Sequence, residues 1–330
     1  MFRTFALTIV AATCLLAAPS AALACACGCG VFDVGDGAFM PATTGAGLTA
    51  WFRYSYMDQN QNWEGASRAP SGDNTDKDIR TSFFTVGGQY VISPKWTVSA
   101  ELPIYDRDFT STDDGAVFGP AGRTYRAHIN APGDLQLMGM YTGFSEDMST
   151  GVGVGLILPT GVWHSPKGPL GGTEFDRDTL PGTGAVSLMV GAYHFGKLGK
   201  SDALAWFTQA RFQAAVATQG GYRPGDEVDG AIGVTYDLGR RGPFTKVAPL
   251  LQVLDSLRAR DSGPEADPLN SGYERVLISP GVDVRLNRVR IHGDVEVPIY
   301  QHVNAAPFAT GNSGQLTAPI LLKVQIAYDF

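Results

Sequence analysis

The chain ends in a strict alternation. Leu322, Val324, Ile326, Tyr328 and Phe330 are apolar, while Lys323, Gln325 and Asp329 between them are polar. A period of two residues marks a β-strand with one dry and one wet face. The same pattern runs through Arg288 to Ile299, where Val289, Ile291, Val295, Val297 and Ile299 alternate with Arg288, Arg290, His292, Asp294 and Glu296. It recurs in Val228, Ile232, Val234 and Tyr236 against Glu227, Asp229, Thr235 and Asp237, and in Val276, Ile278, Val282 and Val284 against Arg275, Ser279, Asp283 and Arg285.

Extended over the whole chain, this reading predicts about twelve strands of roughly ten residues. They fall at 46–57, 80–92, 95–106, 133–144, 149–160, 182–194, 203–217, 227–238, 244–256, 273–286, 288–301 and 316–330. The connections alternate in length. Ser93-Pro94, Ser145 to Met148, Gly239 to Gly242 and Leu286-Asn287 are tight, with a longer one at Phe195 to Asp202, whereas 58–79, 107–132, 161–181, 218–226, 257–272 and 302–315 are long and polar. From residue 25 onward every apolar run is broken well before the roughly 20 residues that a membrane helix needs. The fold class that follows is all-β: a transmembrane, antiparallel, up-and-down β-barrel with its apolar face toward lipid. A charge on that face costs about 2–4 kcal/mol at the bilayer midplane, so parity has a physical penalty behind it.

Composition agrees. The 41 glycines and 17% charged residues suit a large sheet with many turns. A net charge of −7 excludes a nucleic-acid partner, since neutralising phosphates takes a basic surface. Aromatic residues fall near predicted strand ends, with Tyr90, Trp96, Trp206, Phe244 and Tyr328 at one end and Tyr56, Tyr105, Trp163, Tyr273 and Tyr300 at the other, as two membrane interfaces would require.

The first residues read as an export signal. Arg3 precedes an apolar stretch from Phe5 to Ala18, and Ala22-Leu23-Ala24 forms a small-residue cleavage site. The expected organisation is a signal peptide over 1–24, a periplasmic cysteine-containing segment over 25–45 and a barrel over 46–330, integral to a Gram-negative cell outer membrane. Short turns and both termini would face the periplasm, and the long loops would face outward. The terminal strand ending in Phe330 resembles the C-terminal signature by which the barrel assembly machinery reads such proteins. Membrane lipid, lipopolysaccharide and a small-molecule solute complete the expected partners.

Several clusters are candidates for chemistry. Cys25, Cys27 and Cys29 place three thiols in five residues, a set that suits a soft ion such as Cu(I) or Zn(II), a disulfide, or acylation at Cys25; no cofactor is required by the rest of the chain. Glu101-Leu102-Pro103-Ile104-Tyr105 and Glu296-Val297-Pro298-Ile299-Tyr300 are near-repeats. Each proline needs an edge or a bulge, and each glutamate points inward. Two readings stay open, a rim kink repeated for barrel geometry and a pair of lumenal carboxylates at a constriction. Arg53, Arg211, Arg275, Asp283, Arg285, Arg290, His292 and Asp294 join them as inward-facing candidates. Asp73, Asn74, Asp76 and Asp78 read as a solvated acidic loop, since the twelve-residue calcium pattern is incomplete. None of the five histidines sits in a recognisable hydrolase motif, so no enzymatic activity is expected.

Taken together, Cys25-Ala26-Cys27-Gly28-Cys29-Gly30-Val31-Phe32, the rim repeats and Ala217 to Glu227 resemble a group of proteobacterial outer-membrane β-barrel proteins. More distantly, the Leu158-Pro159-Thr160-Gly161 corner is similar to the transporter family named for a phenol-degradation (MetA) pathway, which implies passage of small organic molecules. The leading functional expectation is passive diffusion of a small solute through a charge-lined lumen. The competing one is a non-transporting barrel whose cysteine-bearing tail binds metal or a periplasmic partner.

Overall fold

A computed structural model describes residues 46–112, 122–164, 175–199, 202–306 and 313–330. The strands in chain order are β1 (Gly47–Gln59), β2 (Gln61–Glu64), β3 (Ser67–Arg68), β4 (Asp76–Ser93), β5 (Trp96–Thr112), β6 (Thr124–Pro132), β7 (Leu135–Tyr141) and β8 (Thr150–Leu158). They continue with β9 (Val186–Lys197), β10 (Leu204–Ala217), β11 (Glu227–Tyr236), β12 (Lys246–Arg258), β13 (Tyr273–Leu286), β14 (Val289–Val303), β15 (Gln315–Thr317) and β16 (Leu321–Asp329). β6 and β7 both pair with β5 and act as one wall strand interrupted at Gly133-Asp134. The wall is a closed, antiparallel barrel of 12 strands. Closure is made by β1, which pairs with β4 on one side and with β16 on the other.

Each strand presents alternating residues to the two faces, as parity requires. Val324, Ile326 and Tyr328 are exposed on the outside of β16, while Lys323 and Ala327 are buried within. Ile232 and Val234 are exposed on β11, and Asp229 and Ala231 are buried. The tight connections lie at one end of the barrel, here the turn end, and the long ones at the other, the loop end. At the turn end Asn287 takes a positive φ of 54° within the tight Leu286-to-Val289 hairpin, a conformation for which Asn is among the best-suited non-glycine residues.

The structure departs from the expected boundaries at the loop end. Strands β4, β5 and β6 run well past the others, so 107–112 and 124–132 form a paired ribbon where a loop was expected. Its outer face carries an in-register row of Asp58, Arg80, Asp108 and His128, which marks the end of the apolar belt. Short strands β15, β2 and β3 form a small separate sheet over the loop end. Tyr105 and Tyr273 also differ from expectation: both point inward, Tyr105 edge-on to Phe83 and Tyr273 beneath the Arg275 guanidinium. Their positions were inferred from closeness to a strand end, and parity is the stronger constraint.

Depth within this belt sets the cost of charge. Ile232→Arg is expected to lower barrel stability by about 2–4 kcal/mol in reversible folding into bilayers, and Tyr236→Arg, at the turn end of the same strand, by about 0–1 kcal/mol. Equal costs at the two positions would show that the outer face of β11 does not meet lipid.

Candidate functional site

The inward faces build a lumen in three parts. Around its wall runs a set of ion pairs. Arg53 Nη2 lies 3.1 Å from Glu101 Oε2, and Lys323 Nζ lies 2.7 Å from Glu296 Oε1. His292 stands between two carboxylates, with Nδ1 2.9 Å from Asp283 and Nε2 3.2 Å from Asp294. Ser279 donates to Asp294 at 2.6 Å, and Gln252 reaches the same carboxylate at 3.2 Å. Arg211 binds Asp229 through Nε at 3.2 Å and Nη2 at 2.7 Å. At the turn end Arg285, Arg290 and Thr49 converge on Asp329 at 2.7, 3.0 and 2.9 Å. Of the inward candidates from the sequence, all but Arg275 are joined strand to strand in this way, and Arg275 is buried with its guanidinium over the Tyr273 ring of its own strand.

The rim repeats sit where the wall bends. Pro103 lies at the break between the β7 and β6 pairings, and its carbonyl accepts from Gly133 N at 2.8 Å. Pro298 lies beside a bulge, where the β13–β14 register shifts between Val276 and Leu277. Both prolines thus occupy places where a ladder donor is dispensable. Glu101 and Glu296 each hold a cation beside them, and Glu296 is fully buried.

The middle of the lumen is apolar. Met57, Phe83, Phe207, Ala231, Leu254, Leu277, Ala318 and Leu321 form one buried cluster, with Tyr105 and Phe195 packed against it. Seven of the eight come from wall strands and Ala318 from the link between β15 and β16, and together they fill the interior at this level. Sequence reasoning missed this layer because parity was used to find charges. Its trace was present in the doubled apolar pairs Leu250-Leu251, Val253-Leu254 and Leu321-Leu322, where both faces of a strand read as dry.

The third part is a segment folded into the loop end. After β8 the chain returns through residues 175–185, and Phe175 and Leu180 pack against the inward side chains Ile79, Phe109 and Ile129. Phe175 and Phe109 lie 4.7 Å apart between ring centroids. The buried Arg107 donates to Thr81 Oγ1 at 2.8 Å and to the Thr179 carbonyl. Asp134 anchors the base of the segment: Oδ1 accepts from Gly161 N at 2.9 Å, and Oδ2 accepts from Thr183 N and Oγ1 at 2.8 Å each. Gly133, Gly161 and Gly182 let three backbones meet there, since a Cβ on Gly161 would lie 2.6 Å from Gly133. Above it the Arg177 guanidinium stacks on Trp163 and Tyr222, at 4.9 and 5.0 Å. Burial, with repulsion from Asp178, Asp76 and Asp267, raises the Asp176 carboxyl well above its ordinary pKa.

Cys25, Cys27 and Cys29 lie outside the described residues. Among the described residues no group of three His, Cys, Asp or Glu side chains is arranged to hold a metal.

No protein-family model matches the chain, nor does any curated protein sequence. Solved structures do resemble it. The COG4313 outer membrane channel from Pseudomonas putida F1 aligns with a TM-score of 0.63 at 11% identity, over 90% of this chain and 100% of that one. The β domain of the Bordetella autotransporter BrkA aligns at 0.47 and 12% identity, over 87% and 100%. At these identities the likeness is one of fold. The chain shares with the Pseudomonas putida channel a closed antiparallel β-barrel.

Two outcomes follow from this geometry. Lys323→Met leaves Glu296 buried beside Asp294 and should cost about 3–5 kcal/mol, whereas adding Glu296→Gln should recover most of that loss; additive costs in equilibrium unfolding would show that the two groups are not coupled. Because the raised Asp176 carboxyl keeps its proton more readily in the seated segment, seating is fully favoured below the ordinary carboxylate pKa of about 3.9 and weakens as pH rises above it. A cysteine at Leu180, in a background without native thiols, should therefore label faster at pH 8 than at pH 5 once rates are corrected for thiolate content, and pH-independent corrected rates would contradict this.

Proposed function

We propose that this protein is an outer-membrane channel or transporter for a small solute, and not an enzyme, with its lumen closed at rest by the apolar layer and the inserted segment. The observation that carries this reading is the construction of the closure. The bore is shut by side chains and by a connecting segment held at a few polar points, not by a continuous packed domain. Such a closure opens by displacing 175–185 and rotating side chains, while the wall ladder stays intact. The Pseudomonas putida protein of similar fold is described as an outer membrane channel, which supports the same direction.

The solute class follows from what lines the path. The charges expected to set ion preference are engaged in pairs, so Glu101 and Glu296 serve chiefly to hold the wall around the two bends. The apolar layer offers Met57, Phe83, Phe207, Leu254 and Leu277, which favours a small, largely apolar solute moving passively down its gradient. The turn end is periplasmic in this reading and the loop end faces outward, as the lengths of the connections imply.

Asp134→Ala removes the acceptor shared by Gly161 and Thr183 and should loosen the segment while leaving the wall folded. In planar bilayers the wild-type protein is expected to show rare openings, and the variant an open probability several-fold higher. Silence from both proteins, each verified as folded by heat-modifiable migration, would overturn the channel reading. It would favour instead a non-transporting barrel whose cysteine-bearing tail, with Cys25, Cys27 and Cys29, binds a soft metal or a periplasmic partner.

A further inference from the structure

The outside of the wall carries a feature the channel reading does not use. Across β1, β4, β5, β7 and β8 the lipid-facing surface holds a depression of about 820 Å³. Gly88, Ala100 and Gly139 form its floor, with Leu48, Tyr90 and Val98 toward the turn end and Leu137, Val154 and Leu156 at the side. In register, Gly88 stands opposite Ala100, and Gly139 opposite Val98 and Val154, so small residues on three adjacent strands remove volume from one patch of the belt.

Wall packing does not require glycine at these places. A Cβ on Gly87 or Gly151, whose neighbours lie inside the barrel, would come within 2.3 Å of the Trp51 or Tyr193 ring. At Gly88 and Gly139 the nearest atoms would be 3.7 and 3.9 Å away, an ordinary contact. The depression is of the size of small-molecule pockets, roughly 300–1,000 Å³, and it lies within an apolar belt that meets hydrocarbon.

Beyond its turn end, past Tyr90 and Val98, lie two turns that carry both signs of charge. Lys95 is exposed in the turn after β4, and Glu146 in the turn after β7. The two turns are tied together, because Thr142 N donates to Lys95 O and Thr142 Oγ1 to Pro94 O, both at 2.9 Å. Beside them Trp96, Tyr141 and Phe144 stack edge-on at 5.0 and 5.1 Å, an aromatic cluster of the kind that sits at headgroup level.

We propose that this depression is a binding site for an ammonium-bearing zwitterionic phospholipid of the leaflet at the turn end. The acyl chains lie over Gly88, Ala100 and Gly139, the phosphate meets Lys95, and the ammonium meets Glu146. The inference rests on the wall being embedded in lipid and is independent of whether the lumen conducts.

The full-length protein, reconstituted in vesicles of equal phosphatidylethanolamine and phosphatidylglycerol and re-extracted in mild detergent, provides the test by native mass spectrometry. The wild type should retain phosphatidylethanolamine in preference to phosphatidylglycerol. Gly88→Leu and Gly139→Leu, which fill the floor from outside, should each lower retention about tenfold, the equivalent of losing roughly two buried methylene contacts. Gly230→Leu, an outward glycine on the far wall with the same room for a side chain, should leave it unchanged, and Glu146→Lys should abolish the headgroup preference. Ala100→Leu serves as a further filling variant if either glycine variant fails to show heat-modifiable migration. Undiminished retention in the folded filling variants, or an equal loss in Gly230→Leu, would overturn the proposal. So would a wild-type dimer that dissociates in Gly88→Leu, because the depression would then belong to a second copy.

Discussion

Everything in this molecule depends on the impossibility of leaving a backbone N–H or C=O without a partner in hydrocarbon. The sheet must therefore close, and it closes where β1 meets β16, from Thr49 opposite Asp329 to Met57 opposite Leu321. Thr49 Oγ1 donates to Asp329 across that seam at 2.9 Å, and ion pairs tie its two strands to the wall on either side. Arg53 on β1 reaches Glu101 on β5, and Lys323 on β16 reaches Glu296 on β14, so ion pairs flank the first and last strands on both sides. Buried pairs of this kind add little net stability over apolar packing, but removing one partner is costly. Their value here lies in tying the closing strands to the wall beyond, β1 across β4 to β5 and β16 to β14.

Closure creates the second problem, a bore that must be filled or opened. A barrel of twelve strands lies between those packed solid by side chains and those that leave an aqueous pore. This one fills the space in layers. Paired charges follow the wall, an apolar cluster crosses the middle, and the returning segment after β8 caps the loop end with Phe175 and Leu180. The segment is held by Asp134 and Arg107 through hydrogen bonds to backbone and hydroxyl groups. Its seating is a local equilibrium separable from the integrity of the wall.

Much of the wall was legible in the sequence because lipid enforces parity. The inward charges of β11, β13 and β14 were legible from alternation, and the count of about twelve strands followed from dividing the chain into alternating segments of about ten residues. What parity could not reveal was partnership. Glu101 and Arg53 are 48 positions apart and separated in the wall by β4, so nothing in either strand announces the pair. The apolar layer was legible only where consecutive residues such as Val253 and Leu254 are both hydrophobic. The ribbon over 124–132 escaped notice because it rises beyond the belt, where the parity is reversed: Ala127, Ile129 and Ala131 face the packed interior while Arg126, His128 and Asn130 face outward, so the polar outer face does not read as a spanning strand. The plug escaped because its contacts, Phe109 with Phe175 above all, depend on where a long connection folds.

The central claim is that an apolar layer at mid-height, rather than a ring of charge, closes and selects the path. A cysteine placed at Ala231, in a background without native thiols and reconstituted in bilayers, tests it most directly. The account predicts negligible reaction with a charged, membrane-impermeant thiol reagent from either side, and measurable reaction with a small uncharged apolar maleimide. Rapid modification by the charged reagent in the otherwise native barrel would show a hydrated, open bore at that level and contradict the account.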